Sequence, residues 1–323
     1  MGRTLKKSTN NLPWVLLLST ILIGLAAGTW GAVKKIDYAW RWNRVPQYFF
    51  YKAETAQKMP FDGQVDAITS KGSEVVVHLV SEENEKRVIV VDKELLTASE
   101  GLELFEGDTI GFVQQWRLGP LALGLWTTLW ISAVASVLAL FIGLITGLCR
   151  ISKNLTLRGL SAIYVEFIRG TPLLVQIFIA YFFIGTVFDL DRNVAGVGAL
   201  AIFAGAYVAE IVRAGIQSIP KGQVEASRSL GMNVFQSMIH IILPQAIKRI
   251  LPPLAGQFIS LIKDSSLVSV IAITDLTKSG REIITSTFAT FEVWLTVAAM
   301  YLVVTSVMSQ AVFYMERRLA VSD

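Results

Sequence analysis

Long apolar stretches separated by polar segments make up most of the chain. About 20 apolar residues in a helix cross the ~30 Å hydrocarbon core of a bilayer. The apolar stretches cover residues 13–33, 121–148, 171–188, 196–217, 250–273 and 291–314. This pattern predicts an all-α integral membrane protein with about six transmembrane helices. The second stretch is longer than a bilayer needs, which predicts a tilted or partly protruding helix.

The segment from residue 45 to 115 has a different pattern. It contains β-branched runs bounded by Gly, Asp, Ser or Glu, at residues 63–68, 73–81, 86–93 and 108–114. The short segment EENE between the middle two runs is typical of a β-hairpin. We therefore predict a small β-rich insert. Aromatic residues precede it and form either an interfacial belt or part of its core: Trp40, Trp42, Tyr48, Phe49, Phe50 and Tyr51.

Basic residues near the span ends predict the orientation of the chain, because Lys and Arg that flank spans are retained in the cytoplasm. With six spans, all the basic clusters fall on one side: Arg3, Lys6 and Lys7; Arg150, Lys153 and Arg158; Lys221, Arg228, Lys248 and Arg249; Arg317 and Arg318. Both termini are then cytoplasmic, and residues 34–118 are outside. A signal peptide is the alternative for the first stretch, but its apolar core exceeds the ~7–15 residues of a signal sequence.

Composition narrows the function classes. Charged residues make up 17% of the chain, against about 25% in soluble domains. Cys149 is the single cysteine, and only two histidines are present, which excludes an intrachain disulfide and a Cys/His metal cluster. The sequence also has no G-x-x-x-x-G-K-[ST] phosphate loop. We expect neither a metal nor a cofactor on this chain, and no nucleic-acid partner.

A half-polar segment lies between the fourth and fifth apolar stretches. Ser218 can cap a helix that contains Pro220, and Gly231 can end that helix in the left-handed conformation. Asn233 and Gln236 resemble a capping box for a second helix that ends at Pro244. This predicts two short helices, hinged at Gly231, on the cytoplasmic face. The segment is either a binding surface for a partner protein or an amphipathic surface structure without a partner.

The spacing within this segment is specific. Glu225, Ala226 and Ser227 are followed by Gly231 and then by Ile241, Leu243 and Pro244. This resembles the cytoplasmic "EAA" loop of ATP-binding-cassette importer permeases, in which a short coupling helix docks on the ATPase subunit. Ser227 stands where that family often has Ala. The resemblance implies that Glu225, Ala226, Ser227, Arg228 and Gly231 couple this chain to a separate ATPase.

Residues 120–318 also resemble the permeases of the polar amino acid uptake family, through RGTPLLVQIF (169–178), AYVAEIVRAG (206–215) and LIKDSSLVSVI (261–271). The resemblance implies a non-catalytic, five-helix permease core at 119–323 with a coupling loop at 218–249, in a bacterial inner membrane. Residues 1–33 then form an N-tail with an extra span, and 34–118 form a periplasmic insert. It also implies partners: ATPases that hold ATP and Mg, a second permease (a copy or a sibling), a periplasmic amino acid binding protein and lipid.

Polar residues within the spans are candidates for the substrate path. Tyr207, Glu210, Arg213 and Gln217 recur at near-helical spacing and form one polar stripe. Glu210 either meets a substrate ammonium group or pairs structurally with Arg213. The further candidates are Gln176, Asp264 and Ser265. The RGTP motif also has a structural interpretation that competes with a role in the substrate path: Gly170 ends one helix and Thr171 caps the next.

Three other classes remain as alternatives. Lys263 with Ser265 and Ser266 suggests an intramembrane Ser/Lys hydrolase, but neighbouring positions on a helix do not face one another. A membrane sensor with an external β domain is the second alternative, but no signalling module follows the last span in this sequence. A secondary carrier with inverted repeats usually shows matching broken helices in its two halves, and the spans here do not pair in that way.

Overall fold

The computed structural model describes residues 12–35 and 38–320. The chain divides into two compact units, with the boundary between residues 42 and 43. Within the first unit, helix α1 (Leu12–Lys35) covers the predicted first stretch and ends in Lys34 and Lys35. The predicted N-tail and its basic residues lie outside the described part of the chain. The second unit contains the β-rich insert and all the remaining helices.

The insert consists of two antiparallel sheets. Its strands are β1 (Phe50–Lys58), β2 (Gly63–Lys71), β3 (Glu74–Ser81), β4 (Lys86–Asp92), β5 (Glu103–Leu104) and β6 (Thr109–Leu118). β1 and β6 form a two-stranded ribbon, and the other strands form a sheet in the order β4-β3-β2-β5. The predicted β3–β4 hairpin is confirmed. The sequence did not predict β1, because its first residues were assigned to an aromatic segment.

Alternating side chains build the core of the insert. Val75, Val77 and Leu79 of β3 are buried together with Val91 and Ile110. Their spacing of two places them on the same side of a pleated strand. Of the six aromatic residues before the insert, only Tyr48 is buried, and it packs with Leu121 at the start of the helical bundle instead of with this core.

The helices that follow are α2 (Pro120–Ile151), α3 (Leu155–Gly170), α4 (Leu173–Phe178), α5 (Thr186–Phe188), α6 (Arg192–Gln217), α7 (Lys221–Ser229), α8 (Val234–Ser237), α9 (Leu243–Asp264), α10 (Leu276–Thr287) and α11 (Thr290–Ala320). A π-helical segment, Ile179–Gly185, joins α4 to α5, and a second one, Met238–Ile242, joins α8 to α9. A 3-10 segment, Ser265–Ile271, follows α9.

Within the described residues, four helices are long and apolar enough to cross a membrane: Pro120–Ile151, Arg192–Gln217, Val234–Ile271 and Thr290–Met315. A fifth crossing is formed if Leu155–Gly170 and Leu173–Phe188 act as one span, although they are bent by 107°. The predicted third stretch, 171–188, is therefore only the second half of a broken helix pair. The sequence missed α3 because polar residues such as Arg158 and Glu166 interrupt its apolar pattern.

Helices α2 and α6 form the centre of the bundle. Gly143 and Gly147, four residues apart on α2, face α6, where a Cβ on Gly147 would lie 2.8 Å from the carbonyl oxygen of Ala209. A Cβ on Gly143 would collide with Val208. Small residues at this spacing allow helix backbones to approach closely in membranes. The pair α2–α6 is thus the rigid framework on which the polar stripe of α6 is held.

The start of α10 lies against the first turns of α2. Asp275 is fully buried and caps α10, accepting hydrogen bonds from the backbone N–H groups of Thr277 and Lys278. The backbone N–H of Leu276 donates to Thr128 Oγ1 of α2, 3.0 Å away. Burial raises the pKa of Asp275, although its hydrogen bonds oppose that shift. A raised pKa means that deprotonation of Asp275 destabilises the fold as the pH rises through that value.

Candidate functional site

The loop between α6 and α9 has the hinge that the sequence predicted. Gly231 has φ +79°, in the left-handed region, and follows α7. Asn233 and Gln236 form a reciprocal capping box at the start of α8. The proposed role of Ser218 is wrong: Ser218 follows the last turn of α6, where its hydroxyl donates to the Gly215 carbonyl. Pro220 precedes α7 and its side chain caps nothing. Its fixed φ suits the start of a helix.

The second predicted helix does not end at Pro244. The chain continues from α8 through the π-helical segment into α9, so that Val234–Ile271 forms one long helix. Pro244 lies in the first turn of α9, where its missing N–H and fixed φ are tolerated. A single helix therefore joins the hinge at Gly231 to the opposite end of the bundle.

Ser227 is buried, whereas the other predicted coupling residues are exposed. Its Oγ lies 2.8 Å from Oγ of Ser237, which is also buried, and 2.8 Å from the carbonyl oxygen of Val224. Glu225, Ala226 and Arg228 are exposed on α7. Helix α7 thus presents a mostly polar face outwards, while Ser227 holds α7 against α8. The sequence missed Ser237, because only the fold brings it opposite Ser227.

We expect replacement of Ser227 or Ser237 by Ala to loosen this loop by about 1 kcal/mol, the typical net contribution of one hydrogen bond. Hydrogen exchange of the amides between residues 221 and 237 would accelerate about fivefold. The double variant would resemble either single variant, because both remove the same contact. Ser229→Ala is the control, since the Ser229 hydroxyl donates to the Glu225 carbonyl within its own helix. Additive effects of Ser227→Ala and Ser237→Ala would contradict the prediction.

Glu210 is the centre of a charged cluster at the junction of α2 and α6. Both of its carboxylate oxygens accept hydrogen bonds from the Arg213 guanidinium, one turn further along α6. Arg150 Nη2, at the end of α2, lies 3.5 Å from Glu210 Oε2. The three side chains are 18–29% exposed, so the charges are only partly screened by solvent. The predicted Glu210–Arg213 ion pair is confirmed, and Arg150 is an additional partner.

The cluster extends along the predicted polar stripe. Arg213 Nη1 donates to Gln217 Oε1, 2.6 Å away, towards the loop between α6 and α9. In the other direction, the guanidinium of Arg169 lies over the Tyr207 ring, 5.1 Å from its centroid. Tyr207 therefore stacks with a protein cation, which is a favourable contact for an aromatic face. Arg150 and Arg169 are members that the sequence did not predict, since they lie on different helices.

Gln176 holds the bend between α3 and α4. Its Nε2 donates to the Ile168 carbonyl at 2.7 Å and to Thr171 Oγ1 at 2.8 Å. These contacts satisfy groups at the end of α3, which a helix end leaves without partners. Thr171 ends α3 and does not cap α4, because its hydroxyl donates back to the Phe167 carbonyl. The Oε1 atom of Gln176 is buried and has no hydrogen-bond partner among residues 12–35 and 38–320.

The two candidates at the end of α9 differ in accessibility. Ser265 is fully buried, and its hydroxyl donates to the Ile262 carbonyl. Asp264 is half-buried and its neighbour Lys263 is exposed. A charge in the hydrocarbon costs at least ~2.5 kcal/mol, so this face of α9 lies against water or protein. The structure does not bring Asp264 into the Glu210 cluster, since no hydrogen bond or ion pair joins them among the described residues.

Known proteins resemble this chain over its helical part. The family model "Binding-protein-dependent transport system inner membrane component" matches residues 139–321. The probable glutamine ABC transporter permease protein GlnM of Bacillus subtilis is 44% identical over 197 residues, or 61% of this chain and 91% of GlnM. The glutamine transport system permease protein GlnP of Escherichia coli K12 is 39% identical over 210 residues, or 64% of this chain and 96% of GlnP.

Solved structures agree with this relationship. A crystal structure of an amino acid ABC transporter with histidines matches with a TM-score of 0.59 and 42% identity, covering 62% of this chain and 94% of the other. An inward-facing MetNI methionine ABC transporter, at 22% identity, shares the fold with a TM-score of 0.56 over 62% of this chain and 96% of its own. The chain therefore belongs to the family of binding-protein-dependent transport system inner membrane components, the permease subunits of ATP-binding-cassette importers.

Proposed function

We propose that this permease imports polar amino acids, with glutamine as the first substrate to test. The observation that carries the proposal is the identity of 39–44% to glutamine transport permeases over more than nine-tenths of their length. The L-cystine transport system permease protein TcyB of Bacillus subtilis, 42% identical over 172 residues, supports the broader class of polar amino acids. The β-rich insert lies before the family match, which begins at residue 139.

The coupling proposal rests on the exposed polar face of α7. Glu225, Ala226 and Arg228 contact the ATPase subunit, and Gly231 and Ser227 set the direction of α7. ATP and Mg are bound by that partner, so the permease is not itself a catalyst. The charge pattern of α7 supports this role, since an exposed helix whose polar side chains face outwards next to a membrane bundle suits a protein surface better than lipid.

The topology proposal has six crossings. α1, α2, the bent pair from α3 to α5, α6, the long helix from α8 to α9, and α11 cross in turn. Both termini then lie in the cytoplasm of a bacterium with the protein in its inner membrane, and the insert lies in the periplasm. The supporting observation is that α2 ends in Arg150, on the side that this orientation places in the cytoplasm. Helix α1 ends in Lys34 and Lys35, on the opposite side. These two lysines are an exception to the rule that basic residues flanking spans stay in the cytoplasm. The basic residues at the proposed cytoplasmic ends outnumber them.

For the substrate path, we propose that Asp264 meets the ammonium group of the amino acid. Two guanidinium groups, those of Arg150 and Arg213, already contact Glu210, whereas Asp264 is half-buried next to the exposed Lys263. Tyr207, Gln176 and Ser265 then support the walls of the path: Tyr207 and Gln176 contact α3, and the Ser265 hydroxyl bonds to the last turn of α9. A second permease, identical or related, and a periplasmic binding protein complete the assembly.

The substrate proposal predicts ATP-dependent uptake of glutamine. The complete complex, with its own ATPase and binding protein, is reconstituted in proteoliposomes, and uptake of radiolabelled glutamine is measured against glutamate, arginine, histidine and cystine. We expect uptake of at least one of these and none when ATP is omitted. A complex that accumulates a sugar or a peptide, but none of these amino acids, would refute the proposed substrate class. Retention of the same amino acid by the isolated binding protein is the independent check.

A further inference from the structure

The β1–β6 ribbon exposes large apolar side chains on one face. Phe50 is paired with Leu118, and Lys52 with Trp116. Because alternate residues of a strand point to the same side, these four residues share one surface, called here the ribbon face. Phe50 is 57% exposed, Trp116 70% and Leu118 51%. An exposed apolar cluster of this kind marks an interaction site.

The exposure is confined to one end of the ribbon. At the other end of β6, Ile110 and Gly111 are buried against the core of the insert, and Phe112 is half-buried. From Gln114 to Leu118 every residue of β6 is exposed. The fold of the insert therefore explains the apolar residues at the far end of the ribbon, but not those of the ribbon face.

The ribbon face adjoins the membrane-spanning bundle. Leu118 is followed by Gly119 and by Pro120, the first residue of α2. The Gly119 N–H donates to the Phe49 carbonyl at 2.6 Å. Tyr48 is buried in a cluster with residues of α2, α10 and α11, including Val293 near the start of α11. These contacts fix the base of the ribbon at the end of the bundle where α2 and α11 begin.

The dimensions match a lipid headgroup layer. That layer is about 5–8 Å thick on each side of the hydrocarbon core. A strand rises about 3.4 Å per residue, so Trp116 lies about 7 Å beyond Leu118. The apolar end of the ribbon is therefore about as long as the headgroup layer is thick, and the four-stranded sheet begins beyond it.

We propose that the ribbon face is embedded among the phospholipid headgroups of the leaflet next to the insert. Trp is enriched at this depth, where its ring meets apolar groups and its N–H stays hydrated. Lys52 Nζ lies 5.6 Å from the centroid of the Trp116 ring. The lysine stem covers the ring while its ammonium group reaches the lipid phosphates. The ribbon thus anchors the insert to the membrane, independently of the transported substrate.

Spin labels on single cysteines test this arrangement in the full-length protein. Cys149 is the single native cysteine, so Cys149→Ala provides a cysteine-free background. One label replaces Trp116, and a second replaces Leu118, which leaves Trp116 and Lys52 in place. The control label replaces Val88, which is 56% exposed on the four-stranded sheet. Each variant is placed in nanodiscs of phosphatidylcholine and phosphatidylglycerol, and relaxation by oxygen and by a water-soluble nickel chelate is compared.

We expect the ratio of oxygen to nickel accessibility to be severalfold higher at positions 116 and 118 than at position 88. Lys52→Gln is expected to lower this ratio at position 118, because the ammonium group no longer binds lipid phosphate. Equal nickel accessibility at 116, 118 and 88 would show that the ribbon face lies in water. Protection of 116 and 118 from both reagents would show that protein covers the face. Either result overturns the proposal.

Discussion

Gly231→Pro abolishes transport while the permease still inserts and folds. Gly231 has φ +79°, whereas proline fixes φ near −65°. The substitution therefore forces the chain out of the turn between α7 and α8, at a cost of about 3 kcal/mol or more. Because 1.4 kcal/mol corresponds to a tenfold change in an equilibrium constant, fewer than about 1% of molecules would keep the docking geometry. Uptake and ATPase stimulation by the binding protein, measured in proteoliposomes, would both fall about a hundredfold or more.

Two variants separate the turn from a general loss of stability. Gly231→Asn retains much of the activity, because asparagine tolerates the left-handed region better than other side chains. Gly222→Ala is neutral, since a Cβ there would meet nothing within 4 Å. Charge reversal at Glu225, which is exposed on α7, should also uncouple the complex without changing its folding. Normal coupling in Gly231→Pro would exclude α7 as the docking helix.

Glu210→Gln destabilises the bundle because it leaves Arg150 and Arg213 without their carboxylate. Hydrogen bonds to charged groups contribute about 1.5–3 kcal/mol each, and the partial exposure of these side chains lowers that value. We expect a loss of about 1–3 kcal/mol, measured by thermal unfolding in detergent or nanodiscs. The matched control is Glu166→Gln, an exposed carboxylate on α3, with an expected change within about 0.5 kcal/mol.

A double variant distinguishes the two roles of Glu210. If Glu210 is a structural partner, Glu210→Gln with Arg213→Gln recovers part of the stability, because one uncompensated cation is removed. Uptake then recovers in parallel, with unchanged amino acid selectivity. Altered selectivity in a stable Glu210→Gln complex, with ATPase stimulation retained, would instead assign Glu210 to the substrate path and displace Asp264 from the role proposed above.

The sequence by itself determined the membrane class, most spans and the hinge of the coupling loop. These follow from local chemistry: apolar length matches a bilayer, Gly231 takes a left-handed φ, and Asn233 with Gln236 forms a capping box. The β3–β4 hairpin follows from alternation and a short turn. Each of these features depends on residues close together in the chain, so that a pattern of a few positions is sufficient to predict it.

Only the tertiary structure decided which polar groups already have hydrogen-bond or ion-pair partners within the protein. Arg150 reaches Glu210 across 60 positions of sequence, and Ser237 faces Ser227 only after the chain turns at Gly231. The helix continues past Pro244 because the π-helical segment Met238–Ile242 joins α8 directly to α9. Hydrogen-bond and ion-pair partners at these positions depend on how separate helices meet. The sequence could therefore single out Glu210 and Ser227 as candidate site residues. Only the packing of the helices showed that their side chains join separate helices.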